Sequence, residues 1–264
     1  MTQEPMNPNS KPRRRGIKAR VRRGIAGVVA SILKTPEVRT ELWEIMHRPV
    51  GRHAAQDIQS NLYLQATEET AAYVKEHMTG DTCFDGRYEL LETALRQVNV
   101  SGMYLEFGVY SGRSINFIAR HASGQTVHGF DSFRGLPKDW IPGRGKGEFS
   151  MHGELPEVED NVQLHDGWFD QTLPAFASAH TGPVAFMNID CDIYSSTKTI
   201  FETLGDRVAP GTVIRFDEYL NYPGWQEHEY KAFQELVRAR NLDYRYIGYS
   251  RRDYSVAVII EGVR

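Results

Sequence analysis

Asp190 and Asp217 follow two strand-like runs and stand 27 residues apart, and Glu218 comes directly after Asp217. Brought to one point, three carboxylates repel one another unless a cation lies between them. Oxygen ligands suit Mg²⁺ or Ca²⁺, and neither His nor Cys stands beside them in zinc spacing. A divalent cation there would lower the pKa of a substrate hydroxyl and hold its oxygen in position. The competing reading is a set of helix caps and salt bridges. A proton taken from such a hydroxyl needs a base. His152, in the Gly- and Pro-rich stretch 134–161, and His228, just after the acids, are the histidine candidates. Tyr222 and Trp225 could wall the acceptor, since aromatic rings suit a sugar face.

A second group of residues is built for a nucleoside. Tyr104-Leu105-Glu106-Phe107-Gly108-Val109-Tyr110-Ser111-Gly112-Arg113-Ser114 reads as a buried strand, a glycine turn and the start of a helix. Gly108 lets the backbone approach a ligand, and Gly112 permits a tight turn into the helix. The free N–H groups of that helix start, flanked by Ser111 and Ser114, suit a carboxylate. Glu106 could accept a bond from an ammonium or an ordered water. Asp131, 23 residues beyond Gly108 and followed by Ser132, suits a ribose diol, because one carboxylate accepts two hydrogen bonds at once. Asp166, Gly167 and Trp168 follow the third strand, where an adenine edge and ring face would lie. The spacing is G-x-x-x-G rather than the dinucleotide G-x-G-x-x-G. With an acid, Glu106, two residues before the first glycine, that spacing points to S-adenosylmethionine rather than NAD, and Asp190 is a further candidate contact.

These residues need a scaffold that puts strand ends side by side. Apolar, β-branched runs at 103–107, 127–130, 162–165, 184–190, 212–217, 244–249 and 256–260 predict strands. Helices are predicted at 114–122, 169–179, 196–206 and 228–240. Few of the strands alternate strictly, as expected of a parallel sheet covered on both faces. Only Ser250-Arg251-Arg252-Asp253 separates the last two strands, so they form a hairpin and the final strand runs antiparallel. The expected fold is α/β: a Rossmann-like class I methyltransferase sheet, mostly parallel with one antiparallel terminal hairpin strand, plus N-terminal helices. Those helices are expected within 61–78 and 85–98, the latter with Tyr88, Leu91, Leu95 and Val98 on one face.

Composition sets the outer limits. The chain has 264 residues, 41% hydrophobic and 25% charged, enough for a full core. No run approaches the roughly 18 apolar residues of a spanning helix. Cys83 and Cys191 offer no disulfide framework, which suits a reduced, cytoplasmic setting. Residues 1–24 carry eight basic residues and one acid, so their charge of +7 leaves −10 on the remainder of a chain whose net charge is −3. So acidic a globular part argues against nucleic acid as a partner. The arm reads as a disordered tail, open to weak contact with an anionic membrane or an acidic partner. The apolar run Ile25 to Leu33 is too short, and lacks the cleavage site, for a signal peptide. The expected organisation is a basic disordered arm at 1–24, a helical segment at 25–99 serving as lid or dimer element, and a methyltransferase domain at 100–264.

Four stretches together resemble the macrocin O-methyltransferase family. They are Leu105 to Gly112, Gly129-Phe130-Asp131-Ser132-Phe133-Arg134-Gly135-Leu136-Pro137, Ile189 to Thr197, and Phe216-Asp217-Glu218-Tyr219. The resemblance covers roughly residues 60–260 and omits the arm. It implies a class I fold, S-adenosylmethionine, and Mg²⁺-dependent methylation of a sugar hydroxyl on a natural product. Its metal ligands carry over to Asp190, Asp217 and Glu218, where many relatives have Asp at the last position. The small-molecule acceptor, glycoside or otherwise, is not specified by these residues. The rival expectation is a non-catalytic methyltransferase-fold module that binds a membrane or partner through the arm. A homo-oligomer built on the helical segment is a further expectation.

Overall fold

The computed structural model describes residues 57–78, 83–122 and 124–264. The basic arm and the apolar run after it lie outside the described residues. Six helices are described: α1 (Ile58–His77), α2 (Arg87–Gln97), α3 (Arg113–His121), α4 (Phe169–Ala179), α5 (Tyr194–Leu204) and α6 (Glu229–Arg240). Eight strands form one sheet: β1 (Cys83–Phe84), β2 (Met103–Phe107), β3 (Val127–Asp131), β4 (Val162–Asp166), β5 (Val184–Ile189), β6 (Val213–Phe216), β7 (Leu242–Ser250) and β8 (Val256–Val263). Their order is β1-β7-β8-β6-β5-β2-β3-β4. Every neighbouring pair is parallel except the two that β8 makes, with β6 and with β7. The predicted hairpin is therefore present, and its second strand inserts between β6 and β7. The two-residue edge strand β1 was not anticipated, because so short a run carries no period.

The sheet is covered on both faces, which explains the unbroken apolar runs. All six residues of β5 and all four of β6 are buried. Side chains alternate between faces along each strand. Leu105, Phe107, Met187, Ile189, Ile214 and Phe216 pack in one core cluster with Leu173 and Phe176 of α4, Ile200 of α5 and Phe233 of α6. Phe186, Val213 and Ala257 pack on the other face with Leu90, Leu91, Ala94 and Leu95 of α2 and Ile115 and Ile118 of α3. Each fully buried Phe or Leu contributes about 1.5–3 kcal/mol. Within the predicted helical segment, α2 is thus a covering layer of the sheet. Helix α1 packs through Ala66, Tyr73 and Val74 against the α6 side. Asn221 N–H donates to its Thr70 hydroxyl at 2.9 Å.

β3 and β4 carry a packed histidine pair, joined by His180 after α4. His128 Nδ1 and His165 Nε2 are 3.2 Å apart, and the His180 ring lies 5.0 Å from that of His128. Burial, then the neighbouring His165 and His180, lowers the pKa of His128 to about 4. The native state therefore holds His128 neutral where the unfolded chain would charge it. Its contribution is lost as pH falls from about 6.5 towards 4. Buried carboxylates with raised pKa act with the opposite sign, so the test is a difference. In urea unfolding, His128→Phe should lose less stability than wild type between pH 7 and 4.5. Parallel pH profiles for the two proteins would contradict this.

Candidate active site

The carboxyl ends of β2 to β6 open into one cavity of about 1110 Å³. Such crevices are where open α/β sheets bind ligands. Gly108, Ser111 and Ser114 line it from the first turn, Asp131 and Ser132 from the second, and Gly167 and Trp168 from the third. Asp190, Asp192, Asp217 and Glu218 line it from the fourth and fifth. The loop after β3 forms the far wall through Trp140, Ile141, Arg144 and Phe149. Tyr110 and Phe149 meet edge to face, with ring centroids 5.9 Å apart, at the exposed lip.

The glycine turn is held by both neighbours. Gly108 has φ +92°, and a Cβ there would lie 1.7 Å from the Asp190 carbonyl oxygen. Only glycine lets β2 and β5 end this close together. Asp131 clamps the turn from the other side. Its Oδ2 accepts the N–H groups of Val109 at 2.9 Å and Tyr110 at 2.8 Å. Its Oδ1 accepts Phe133 N–H at 2.7 Å. A carboxylate has about four lone-pair sites, so Asp131 is a structural clamp with little acceptor capacity left over. This clamping is additional to the ribose role read from its position.

Beneath the turn runs a buried polar row on the α2–α3 face of the sheet. Glu106, Asn188 and Arg215 are register partners on β2, β5 and β6. Asn188 Nδ2 donates to Glu106 Oε1 at 2.7 Å, and Arg215 Nη1 donates to Asn188 Oδ1 at 3.0 Å. Arg215 Nη2 donates to Ser255 Oγ at 2.8 Å and also to Asp217 Oδ1. Glu106 is fully buried. Its pKa is pushed up to about 8 by burial, which bonds from Ser114 and Asn188 only partly offset.

The acid cluster assembles as its spacing predicted. Asp190, Asp217 and Glu218 each bring a carboxylate oxygen within 4.8 Å of the others. Burial and the Asp217 charge hold Asp190 well above the usual carboxylate range. Burial and the charges of Asp217, Asp192 and Asp190 do the same to Glu218. Burial would raise Asp217 too, but Arg215 and Arg87 together keep it low. Arg87 Nη1 meets Asp217 Oδ2 at 3.1 Å from the first residue of α2. Glu218 Oε2 is buried and has no hydrogen-bond partner.

One buried residue aligns the cluster without facing the cavity. Glu229, at the start of α6, accepts N–H groups from Cys191 at 3.3 Å and Asp192 at 3.2 Å through Oε1. Its Oε2 accepts Glu218 N–H at 3.2 Å. It therefore ties the loop after β5 to the loop after β6. Burial, with Asp192 close by, raises its pKa to about 8. Asp192 itself adopts φ +63°, a left-handed conformation that Asp tolerates better than most residues.

Several predicted site residues stand elsewhere. Glu106 lies buried under the turn on the α2–α3 face, outside the cavity lining, with its Oε2 unpartnered. Gly112 caps α3 in the left-handed region, at φ 78°, as a backbone device outside the cavity lining. Asp166 is exposed at the end of β4 and does not line the cavity. His152 is exposed at φ 54° in the loop, and His228 caps the start of α6, half-buried, with its ring 6.0 Å from that of Tyr222. No histidine lines the cavity among the described residues. Tyr222 and Trp225 are core residues rather than an acceptor wall, and Tyr222 Oη donates to the Glu218 carbonyl at 3.1 Å. Arg87, Arg215, Asp192 and Glu229 were missed. A lone arginine inside the apolar run Val213-Ile214-Arg215-Phe216 was the available signal, since such a charge needs a buried partner.

The sheet order, with its antiparallel β8, is the fold of class I methyltransferases. A family profile described as a methyltransferase domain matches residues 105–219. Named O-methyltransferases are among the relatives of this chain. It is 29% identical over 172 residues to the 8-demethyl-8-(2,3-dimethoxy-alpha-L-rhamnosyl)-tetracenomycin-C 4'-O-methyltransferase of Streptomyces olivaceus, covering 55% of this chain and 63% of that one. This chain thus spans less than two thirds of that relative. It is 27% identical over 185 residues to the mycinamicin III 3''-O-methyltransferase of Micromonospora griseorubida, covering 60% and 71%. In fold it is similar to a solved calicheamicin methyltransferase, with TM-score 0.53, 20% identity and coverage of 86% and 93%.

The two arginines on Asp217 differ in burial, and stability should separate them. Arg215 is 1% exposed, whereas half of the Arg87 side chain is open to solvent. Arg215→Leu would strand Asn188 and half of Asp217, and should cost about 3 kcal/mol or more in urea unfolding. Arg87→Gln should cost less than about 1 kcal/mol. Equal losses would contradict the assignment of Arg215 as the structural partner.

Proposed function

We propose that the protein is an S-adenosylmethionine-dependent O-methyltransferase whose acceptor is a hydroxyl of a sugar or another small-molecule natural product. Asp190, Asp217 and Glu218 are its ligands for a divalent cation, with Mg²⁺ the expected ion. One observation carries this reading. A glycine turn too tight for any Cβ and a three-carboxylate cluster with an orphaned oxygen open into the same cavity. The donor set fits a hard cation: it is all oxygen, and Glu218 Oε2 lacks any other partner. The relatives named above, both O-methyltransferases by name and one of a rhamnosyl compound, support the acceptor class.

S-adenosylmethionine supplies a sulfonium methyl group, and the cation supplies Lewis-acid stabilisation of a deprotonated hydroxyl. The protein's own residues do the rest. The start of α3, with Ser111 and Ser114, offers donors to a carboxylate. Ser132 and the remaining lone pair of Asp131 are set for ribose hydroxyls, and Trp168 for a ring face. Tyr110, Trp140 and Phe149 exclude water from the acceptor side and give it an apolar wall. With no histidine lining the cavity among the described residues, Asp190 and Asp192 are the carboxylates positioned to receive a hydroxyl proton. Holding nucleophile and methyl group in line supplies much of the rate.

Calorimetric titration should register S-adenosylhomocysteine binding in the micromolar range, lost in Gly108→Ala. Absence of binding by the folded wild-type protein would refute the cofactor reading. With an acceptor in hand, chelator should abolish turnover, and Asp190→Asn should lower it about a hundredfold or more. Full turnover in chelator would leave the three acids structural.

A further inference from the structure

Taking the three acids as cation ligands, as proposed above, we infer that Arg87 is a resident counter-cation that a divalent ion must displace, so that this residue sets the metal affinity of the site. The two arginines on Asp217 are unequal. Arg215 is locked in the sheet by Asn188 and Ser255 as well as Asp217. Arg87 reaches Asp217 Oδ2 from α2 with a single hydrogen bond of 3.1 Å. Its side chain is half exposed and lines the cavity beside Asp190 and Glu218.

Charge balance points the same way. Three ionised carboxylates together with Arg215 leave a double negative charge, which one divalent cation matches. Once the ion is bound, a guanidinium held on the same carboxylate would repel it at close range. Arg87 is half exposed and holds the buried Asp217 by one bond, whereas Arg215 is buried and bonded to three partners, so Arg87 is the partner that gives way. The segment carrying it stays anchored meanwhile. Arg251 Nε meets Asp85 Oδ1 at 2.8 Å, and Arg251 N–H donates to the Phe84 carbonyl at 3.0 Å. The side chain can therefore leave Asp217 while α2 stays in place.

The test is Mn²⁺ binding to the full chain without cofactor, read by the electron paramagnetic resonance of free Mn²⁺. Arg87→Gln should bind Mn²⁺ on the order of tenfold more tightly than wild type. Arg87→Lys, which keeps the charge, should stay within about threefold of wild type. Arg87→Met serves as a second charge-free variant should Arg87→Gln fail to fold, as judged by thermal melting. Binding by a charge-free variant and none by wild type would also support the inference. Measurable wild-type binding that a charge-free variant leaves unchanged or weakens would overturn it while sparing the metal site. No Mn²⁺ bound by any variant, or binding that survives Asp190→Asn, would overturn the metal site and the role of Arg87 with it.

Discussion

A guanidinium shut away from water has to be paired, and Arg215 imposes that requirement at the centre of the sheet. It is 1% exposed and draws on three strands: Asn188 of β5, Asp217 at the end of its own β6, and Ser255 beside β8. Moving any of these out of register would leave a buried charge unpaired, a cost of several kcal/mol. The antiparallel insertion of β8 between β6 and β7 therefore does more than close the sheet. It brings Ser255 to the one place where Arg215 and the Asp217 backbone can both use it.

From this fixed point the two halves of the cavity follow. Asn188 passes the constraint to Glu106, directly below the glycine turn. Gly108, pressed against the Asp190 carbonyl, sets the distance between the cofactor turn and the first acid. Glu229 ties the backbone of Asp192 to that of Glu218. The acids are thus held by a frame that does not depend on what they bind. Their mutual repulsion is relieved in part by the arginines and leaves one Glu218 oxygen unsatisfied.

Much of this was legible in the chain. Hydrophobic runs located β2 and α4 at their observed bounds and most other elements within two residues. The four-residue hairpin connection was enough to assign the antiparallel strand. The glycine turn, Asp131 and the three acids were readable because strand ends in such sheets converge whatever else the chain does. What escaped depended on side-chain direction. Glu106 was taken for a ligand contact, but period-two alternation turns it under the sheet. His152 and His228 were chosen for chemical aptitude, and nothing local says that one points to solvent and the other packs beside Tyr222, outside the cavity lining. Glu229 looks like any acidic first-turn residue. Its role exists only once α6 is folded against two loops distant in sequence.

The central claim is that one rigid frame presents a nucleoside cofactor turn and a cation site to the same cavity. Crystals grown with S-adenosylhomocysteine and Mn²⁺, with diffraction recorded at the manganese absorption edge, test it most directly. The account predicts a nucleoside between the Gly108 turn and Trp168, and an anomalous peak among Asp190, Asp217 and Glu218. A nucleoside bound elsewhere, or no anomalous density among those three carboxylates at saturating Mn²⁺, would contradict it.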